Sequence, residues 1–331
     1  MTADRPLVTL CMIVRDEAAN LQRCLDSARA LVEQIVVVDT GSTDGTDRIA
    51  LAAGALVVER PWTDDFAAAR NHALPYAAGE WILQLDADEE LDPTTAHLLR
   101  PWLAGTAADG GQCTVRNLQP PDDPCEWNDT QIVRLFRNRP AHRWVGRIHE
   151  QVGDAVLAGG GSIAPAPVRI VHHGYTATTV QGGRSRAERN LVLQRRHLEE
   201  HPDDPFVRLH FADACNAAGR LEEAESAYRT ALTLDGGRLG SLRRNAHVRL
   251  AQLLLARNAH ELALTEAERA LAMDPGCLPA LQVHGVAALS LGRVRPALVS
   301  FERALLHPEL RARYRADLEV LVRFCRTGRA A

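Results

Sequence analysis

The rhythm of apolar and polar positions changes about halfway along the chain. Up to about Tyr175, short β-rich apolar runs alternate with stretches that repeat at helical spacing. "LVTLCMIV" from Leu7, "QIVVVDT" from Gln34, "ALVVER" from Ala55 and "EWILQLD" from Glu80 predict strands. Between the first two, Leu21, Leu25, Ala28 and Val32 fall on one helical face. "STDGTDRIALAAG" predicts a helix in which Ser42 or Thr43 accepts orphan amide bonds and Gly54 ends the last turn. "DDFAAARNHALPYAAG" predicts another. Strands and helices in alternation imply an α/β fold with a parallel, doubly wound sheet. Such sheets take ligands beyond the carboxyl ends of their strands. Asp39, Asp86 and Asp88 are expected on that rim.

From Asp92 to Tyr175 the pattern loosens. "QCTVRN" and "QIVRLFRN" predict strands of an added sheet, "LAGGGS" a turn, and "PVRIVHHGY" a strand ending in two histidines. "TATTVQGGRSR" reads as a linker. Beyond it the chain is helical and repetitive. Small residues recur at Ala224, Ala263 and Ala297, with Tyr228, Ala267 and Phe301 four positions on and Ala231, Ala270 and Ala304 three further. Ala263 to Ala297 is a step of 34 residues, the tetratricopeptide period. Ala224 to Ala263 is a step of 39, which places five extra residues near "GGRLGS". Pro202 in "RRHLEEHPDDP" holds the place that Pro275 holds later. The small residues let paired helices approach, and the larger ones fill the gap. Repeats of this type are expected over residues 186–310, with a generic helical bundle as the alternative.

Composition narrows the function classes. The chain has 331 residues, 46% hydrophobic and 24% charged, with a net charge of −4 from 38 basic and 42 acidic residues. That balance suits a globular protein and argues against nucleic acid as a partner. "LVTLCMIV" is too short to span a membrane, and its flanks of Asp4 and Arg15-Asp16-Glu17 do not suit a secretory signal. Seven scattered cysteines form no C-x-x-C pair, so small buried thiols and a cytoplasmic location are expected.

"WILQLDADEEL", Trp81 to Leu91, runs a buried strand into clustered acids. Carboxylates spaced as Asp86 and Asp88 can share one hard cation. Mg2+ or Mn2+ bridging a diphosphate would complete its shell with phosphate and water. The competing reading is a helix N-terminus at Asp92-Pro93, where acids are favoured by the helix dipole. It accounts for Glu90 and Asp92 better than for the first two aspartates.

"LCMIVRDEAANLQRCL", "IVVVDTGSTDGT", "DDFAAARNHAL" and "WILQLDADEEL" occur in the order and spacing of family-two glycosyltransferases. The chain resembles the bacterial subgroup that joins such a domain to C-terminal tetratricopeptide repeats, which includes relatives of bacteriocin-associated peptide glycosyltransferases. The resemblance implies a glycosyltransferase-A type mixed sheet over residues 1–180 and a helical repeat domain over 181–331. It further implies that a nucleotide-diphospho-sugar donor, expected to be a UDP-sugar, lies across the strand ends. Asp39 would accept from the uracil imide, with helix capping as its alternative. Val14, Arg15 and Glu17 would line the base. Arg70 and Asn71 would lie near the sugar-phosphate, unless Arg70 pairs with Asp64 or Asp65. Asp86 would contact ribose or metal, and Asp88 would bind the metal directly. Strand alternation sends His172 and His173 to opposite faces. His172 is the one whose place before "HGY" suits a metal ligand, and an imidazole favours Mn2+ over Mg2+. A backbone-bonded strand-end histidine is the alternative.

An inverting transfer needs a base on the acceptor. "WVGRIHEQ" supplies His149 and Glu150, and Glu150 leads, with Asp129 competing; Trp144 would stack on a sugar or fill core. The late Glu-Asp and Gln-x-x-Arg-Trp motifs of other family-two enzymes are not clearly present. The function so implied is metal-dependent, inverting hexosyl transfer to an acceptor such as a peptide or protein presented by the repeats. The repeats could instead brace the catalytic domain or form a homodimer. The alternative is a non-catalytic tetratricopeptide scaffold with a degenerate nucleotide-sugar domain. A nucleotidyltransferase would want a glycine-rich loop after the first strand, and "MIVRDEAAN" has none.

Overall fold

The computed structural model describes residues 7–118, 127–173, 186–308, 310 and 312–328. The chain forms two compact units, Met1–Arg184 and Ser185–Ala331, which divide four residues past the expected 180/181 boundary. The expected linker at 176–185 and Cys125 lie outside the described residues.

The first unit is built on one eight-stranded mixed sheet. β1 (Val8–Val14), β2 (Gln34–Asp39), β3 (Leu56–Glu59) and β4 (Trp81–Gln84) are parallel, in the order β3-β2-β1-β4. The sheet continues through β7 (Trp127–Arg137), β6 (Gly110–Leu118), β8 (Ile163–His172) and β5 (Glu89–Leu91). β4–β7, β7–β6 and β8–β5 are antiparallel, while β6–β8 is parallel. "QCTVRN" and "QIVRLFRN" therefore extend the first sheet rather than form an added one, because β7 pairs directly with β4. α1 (Leu21–Ala28), α2 (Thr46–Ala52), α3 (Phe66–Asn71), α4 (Pro93–Ala96), α5 (Leu99–Gly105) and α6 (Gly153–Ala158) complete the unit. α6 takes in the first two residues of the expected "LAGGGS" turn. Gly54 closes α2 as expected, at φ +83°, with Ala55 N–H on the Ala50 carbonyl.

Period two sorts the central strands into two cores. Leu10, Met12, Ile35, Val37, Trp81 and Leu83 enter one, against α1 and α5. Cys11, Val36, Val38 and Ile82 enter the other, with Ala67 of α3, Trp144 and Val156 of α6. Gln84 and Asp86 share the parity of Ile82, so the chain beyond β4 turns Asp86 towards α3.

The second unit runs α7 (Arg186–Glu200), α8 (Pro205–Ala217), α9 (Leu221–Leu234), α10 (Ser241–Ala256), α11 (His260–Met273), α12 (Leu278–Ser290), α13 (Val294–Leu305) and α14 (Ala312–Thr327). One closing motif joins α8–α9, α10–α11 and α12–α13. Gly219, Asn258 and Gly292 sit at φ +73°, +58° and +72°, and the next N–H reaches back to Cys215, Leu254 and Ala288. Asn tolerates that left-handed turn because its side chain is short and polar. The repeat residues Ala224, Tyr228, Ala231, Ala263, Ala267, Ala270, Ala297, Phe301 and Ala304 are all buried. This is the tetratricopeptide pattern. The extra five residues are not all in the loop. α10 has 16 residues where α12 has 13, and the 235–240 connection is two longer than 274–277. A cleft of about 720 Å3 opens at this irregular junction, lined by Arg229, Arg243, His247, Glu266 and Arg269 among others.

Two helices of this unit approach closely at Gly285: a Cβ there would meet the Phe301 ring at 2.3 Å. Gly285→Ala is expected to cost about 1–3 kcal/mol through overpacking, read as a lower urea midpoint by helical circular dichroism. Gly285→Ala with Phe301→Leu should recover part of that loss. An unchanged midpoint in the single variant would contradict the packing account.

Candidate active site

Two loops at the carboxyl ends of β1 and β2 are clasped together. Asp16 N–H donates to Ser42 Oγ at 3.0 Å, Thr43 N–H to Asp16 Oδ1 at 2.8 Å, Glu17 N–H to Thr46 Oγ1 at 2.8 Å and Ala18 N–H to Asp44 Oδ2 at 2.9 Å. Ser42 and Thr43 thus tie loops rather than cap α2. The first amides of α2 are served locally by Asp44, whose Oδ1 accepts from Thr46 N–H at 3.0 Å. Buried Asp39 ends β2 and turns its Oδ1 onto the Gly41 and Ser42 amides, both at 2.8 Å. Among the described residues no hydrogen bond reaches its Oδ2.

Beside this clasp lies a largely buried chain of ions. Arg70, on α3, donates through Nε to Glu150 Oε1 at 2.6 Å and through Nη2 to Asp86 Oδ1 at 2.7 Å. Arg134 lies 3.4 Å from Asp86 Oδ2 and also bonds Glu89 Oε1. Glu89 Oε2 in turn accepts from Asp86 N–H at 2.9 Å. Burial alone would push the Asp86 carboxyl up, but the two guanidiniums outweigh it and hold it well below the usual carboxylate range. Burial pushes Glu89 up to about 7 against the pull of Arg134, and the Asp86 charge adds to the rise. Three acids face two arginines, so one acid gains from keeping its proton, and Glu89 is the most enclosed. Arg70 Nη1 is buried with no partner among the described residues.

Local irregularities deliver these groups. The β6–β7 register shifts so that Gly111 faces Leu135 while Gln112 faces Val133. Arg134 is the extra residue of that bulge, which re-aims its side chain. Glu150 is held by a tight loop in which Val145 and Gln151 exchange both backbone bonds. Gly146 at φ +103° and His149 at φ +57° make the reversal. Asn71 locks the loop to α3 by bonding both the N–H and the carbonyl of Trp144, each at 2.9 Å.

On the far side of Asp86, β5 pairs with β8 and sets His172 opposite Glu89. His172 Nδ1 lies 2.8 Å from Asn117 Oδ1, and Nε2 lies 3.3 Å from Asp88 Oδ2. Asn117 Nδ2 donates to the Asn128 carbonyl and Thr130 Oγ1, which fixes Oδ1 as the group facing His172. Nδ1 therefore carries a proton and presents Nε2 to Asp88. Burial lowers the His172 pKa, but the Asp88 hydrogen bond and the surrounding acids outweigh it and raise the net value. His173 goes the other way, to Glu90 Oε1 at 3.0 Å, as strand alternation requires.

The comparisons with known proteins bear on this rim. A family model described as glycosyl transferase family 2 matches residues 9–157. Those residues form a family 2 glycosyl transferase domain. A TPR repeat-containing protein of Synechococcus elongatus is 38% identical over 224 residues, 66% of this chain and 54% of that one. The prophage-derived glycosyltransferase SunS of Bacillus subtilis is 25% identical over 224 residues, 67% of this chain and 52% of that one. The chain thus spans about half the length of these relatives. Among solved structures, MamA of Desulfovibrio magneticus overlaps 44% of this chain and 76% of its own, at 18% identity and a TM-score of 0.38. Glucosyl-3-phosphoglycerate synthase of Mycobacterium tuberculosis, solved with Mn2+, UDP and glucosyl-3-phosphoglycerate, overlaps 34% of this chain and 45% of its own, at 26% identity and a TM-score of 0.29. Both overlaps are partial and carry no functional weight.

Within the transferase domain the expected residues divide into three groups. Asp86, Arg70 and Glu150 meet directly, and Asp88 meets His172. Arg70 pairs with neither Asp64 nor Asp65; Asp65 caps α3 and Asp64 accepts from Trp62 Nε1. Val14, Arg15 and Glu17 lie in the clasped loop, with the Val14 carbonyl taken by Thr40 and Glu17 bonded to Asn20. Four further residues have other neighbours. Asp86 does not converge with Asp88 and His172 into one close ligand set, because its oxygens face Arg70 and Arg134. Trp144 fills core, edge-on to Phe136 at 5.0 Å, and Asn71 is structural. Asp129 is bound bidentate by Arg116 across the β6–β7 pair, about 17 Å along β7 from Arg134. Glu90 sits in β5 rather than at a helix start, while Asp92 caps α4 as the helix reading requires.

Arg134 and Asn117 were not found by sequence reasoning, since a bulge and an amide orientation leave no mark in residue spacing. Arg134→Met is expected to destabilise the transferase domain by about 3–5 kcal/mol, by leaving Glu89 without its cation and Asp86 with Arg70 alone. Adding Glu89→Leu should restore much of it. A double variant as unstable as the single, in chemical denaturation, would sink that explanation.

Proposed function

We propose that the transferase domain moves a sugar from a nucleotide-diphospho-sugar, of the uridine type, to an acceptor hydroxyl or thiol. The observation that carries this reading is the division of labour at the strand ends. One acid, Asp39, offers an unpaired oxygen; a second set, Asp88 and His172, offers adjacent oxygen and nitrogen ligands; a cation, Arg70, has an unpartnered Nη1. A nucleotide base, a metal-bridged diphosphate and a phosphate oxygen are the chemistry these three would meet in turn. Asp39 would accept the N–H of the base, since a carboxylate only accepts.

Asp88 and His172 would hold a divalent ion, with the remaining positions left to diphosphate and water. The mixed oxygen and imidazole set favours Mn2+ over Mg2+. When bound, the ion supplies positive charge against the departing diphosphate. Asp86 then acts by orienting Arg70 and Arg134 rather than by ligating. Arg70 Nη1 would donate to the same diphosphate, in an enclosed position where a charged hydrogen bond is strong.

Glu150 would take the acceptor proton as the acceptor attacks the anomeric carbon from the face opposite the diphosphate, so the configuration inverts. Its Oε1 is held by Arg70, which leaves Oε2 for the acceptor. The acceptor itself is proposed to be a peptide or protein bound by the tetratricopeptide repeats. The arginine-lined cleft between α9, α10 and α11 is a place in that unit where a side chain and a carboxylate could be received.

Turnover of a UDP-sugar, as transfer or slow hydrolysis, is expected only with Mn2+ or Mg2+. Asp88→Asn should lower kcat/KM by at least about 10²-fold, and Glu150→Gln should lower kcat by about 10²–10⁴-fold with donor affinity kept. Asp39→Asn should instead weaken UDP binding by about 10- to 100-fold. Full turnover in a chelator, or Asp88→Asn at parental rate, would exclude the reading. Metal-dependent UDP binding without any turnover on a panel of sugar donors would favour a non-catalytic scaffold.

A further inference from the structure

The last turn of α7 carries "HLEEH", His197 to His201. His201 lies one residue past the helix, yet its N–H still bonds the His197 carbonyl at 3.0 Å. The helical turn therefore continues, and positions i, i+3 and i+4 bring His197, Glu200 and His201 onto one face. Their ligand atoms all lie within 4.8 Å of one another. The imidazoles meet edge to face with centroids 4.9 Å apart, and His197 Nδ1 is 4.0 Å from Glu200 Oε2. Among the described residues this is the only group of three or more such side chains that converges so closely.

We infer that His197, Glu200 and His201 form a binding site for a divalent transition metal of the zinc class. Tetrahedral coordination with bonds of about 2.0–2.1 Å puts ligand atoms roughly 3.3 Å apart. The three groups reach that spacing by side-chain rotation alone, since Glu200 and His201 are exposed and His197 is partly so. Two imidazoles and one carboxylate suit Zn2+, Co2+, Ni2+ or Cu2+ over Mg2+ and Ca2+. The ion would sit at a helix C-terminus, where the helix dipole favours positive charge. Three protein ligands leave one coordination position for water or a group from a partner. Because binding requires the formed turn, the ion fastens the end of α7 ahead of α8, which Asp204 caps. None of the three residues belongs to the strand-end site, so this inference does not rest on the transferase reading.

The test is a Co2+ titration of the full chain, followed by the visible bands of tetrahedral cobalt and competed with Zn2+. The chain and its Asp88→Asn variant should each show one equivalent of tetrahedral cobalt that Zn2+ displaces and that Mg2+ does not. The His197→Asn/His201→Asn variant, with parental helical circular dichroism, should lose that equivalent. Zn2+ should also raise the melting temperature of the chain and of Asp88→Asn, but not that of the double histidine variant. Retention of the equivalent in the double variant, or its loss in Asp88→Asn, would overturn the assignment. So would the absence of any cobalt spectrum in the parent.

Discussion

Carboxylates at the end of a buried strand must be matched by cations, and the first unit is arranged around that requirement. β4 brings Asp86 out of the core on the face shared with Ile82, and Glu89 follows within one turn. Neither could stay charged there alone. Arg70 reaches in from α3 and Arg134 from a bulge in β7, and Glu150 closes the chain of ions from the opposite loop. Networks of this kind give little net stability over apolar packing. They fix the relative positions of three separate elements around one point on the sheet's rim.

That constraint decides which acids remain for chemistry. With Asp86 held between two guanidiniums, the carboxylate that meets His172 is that of Asp88. His172 is itself oriented by Asn117 from the neighbouring strand, so the pair is supported from behind. Asp39 is held differently, by backbone amides on one oxygen only. A donor spanning from Asp39 to Asp88 would cross the ends of β1 and β4, where the parallel strands leave a ligand-sized crevice in sheets of this order.

Much of this was legible in the chain. Short β-rich apolar runs marked the four strands β1 to β4, and the 34-residue recurrence of small residues marked the helix pairs, because both patterns follow from local geometry. The placing of Asp39, Asp86 and Asp88 on one rim followed from strand direction alone. What stayed hidden depends on contacts between distant segments. The bulge that aims Arg134 arises from β6–β7 pairing and has no glycine or proline to announce it in β7. Whether Asp86 faced a metal or an arginine turned on Arg70, eighty residues from its other partner Glu150. Ser42 and Thr43 look like helix caps in sequence, but a closer claim on them came from the loop after β1. The five extra repeat residues were visible as a count, yet their split between a helix and a loop was not.

The most direct measurement is a crystal structure of the full chain with UDP and Mn2+, with anomalous diffraction at the manganese edge. The account predicts one manganese peak bonded to both Asp88 and His172 and to the diphosphate, with Arg70 Nη1 on a phosphate oxygen and Asp39 Oδ2 on the base. UDP bound elsewhere, or manganese held by Asp86 with Asp88 and His172 still bonded to each other, would contradict it.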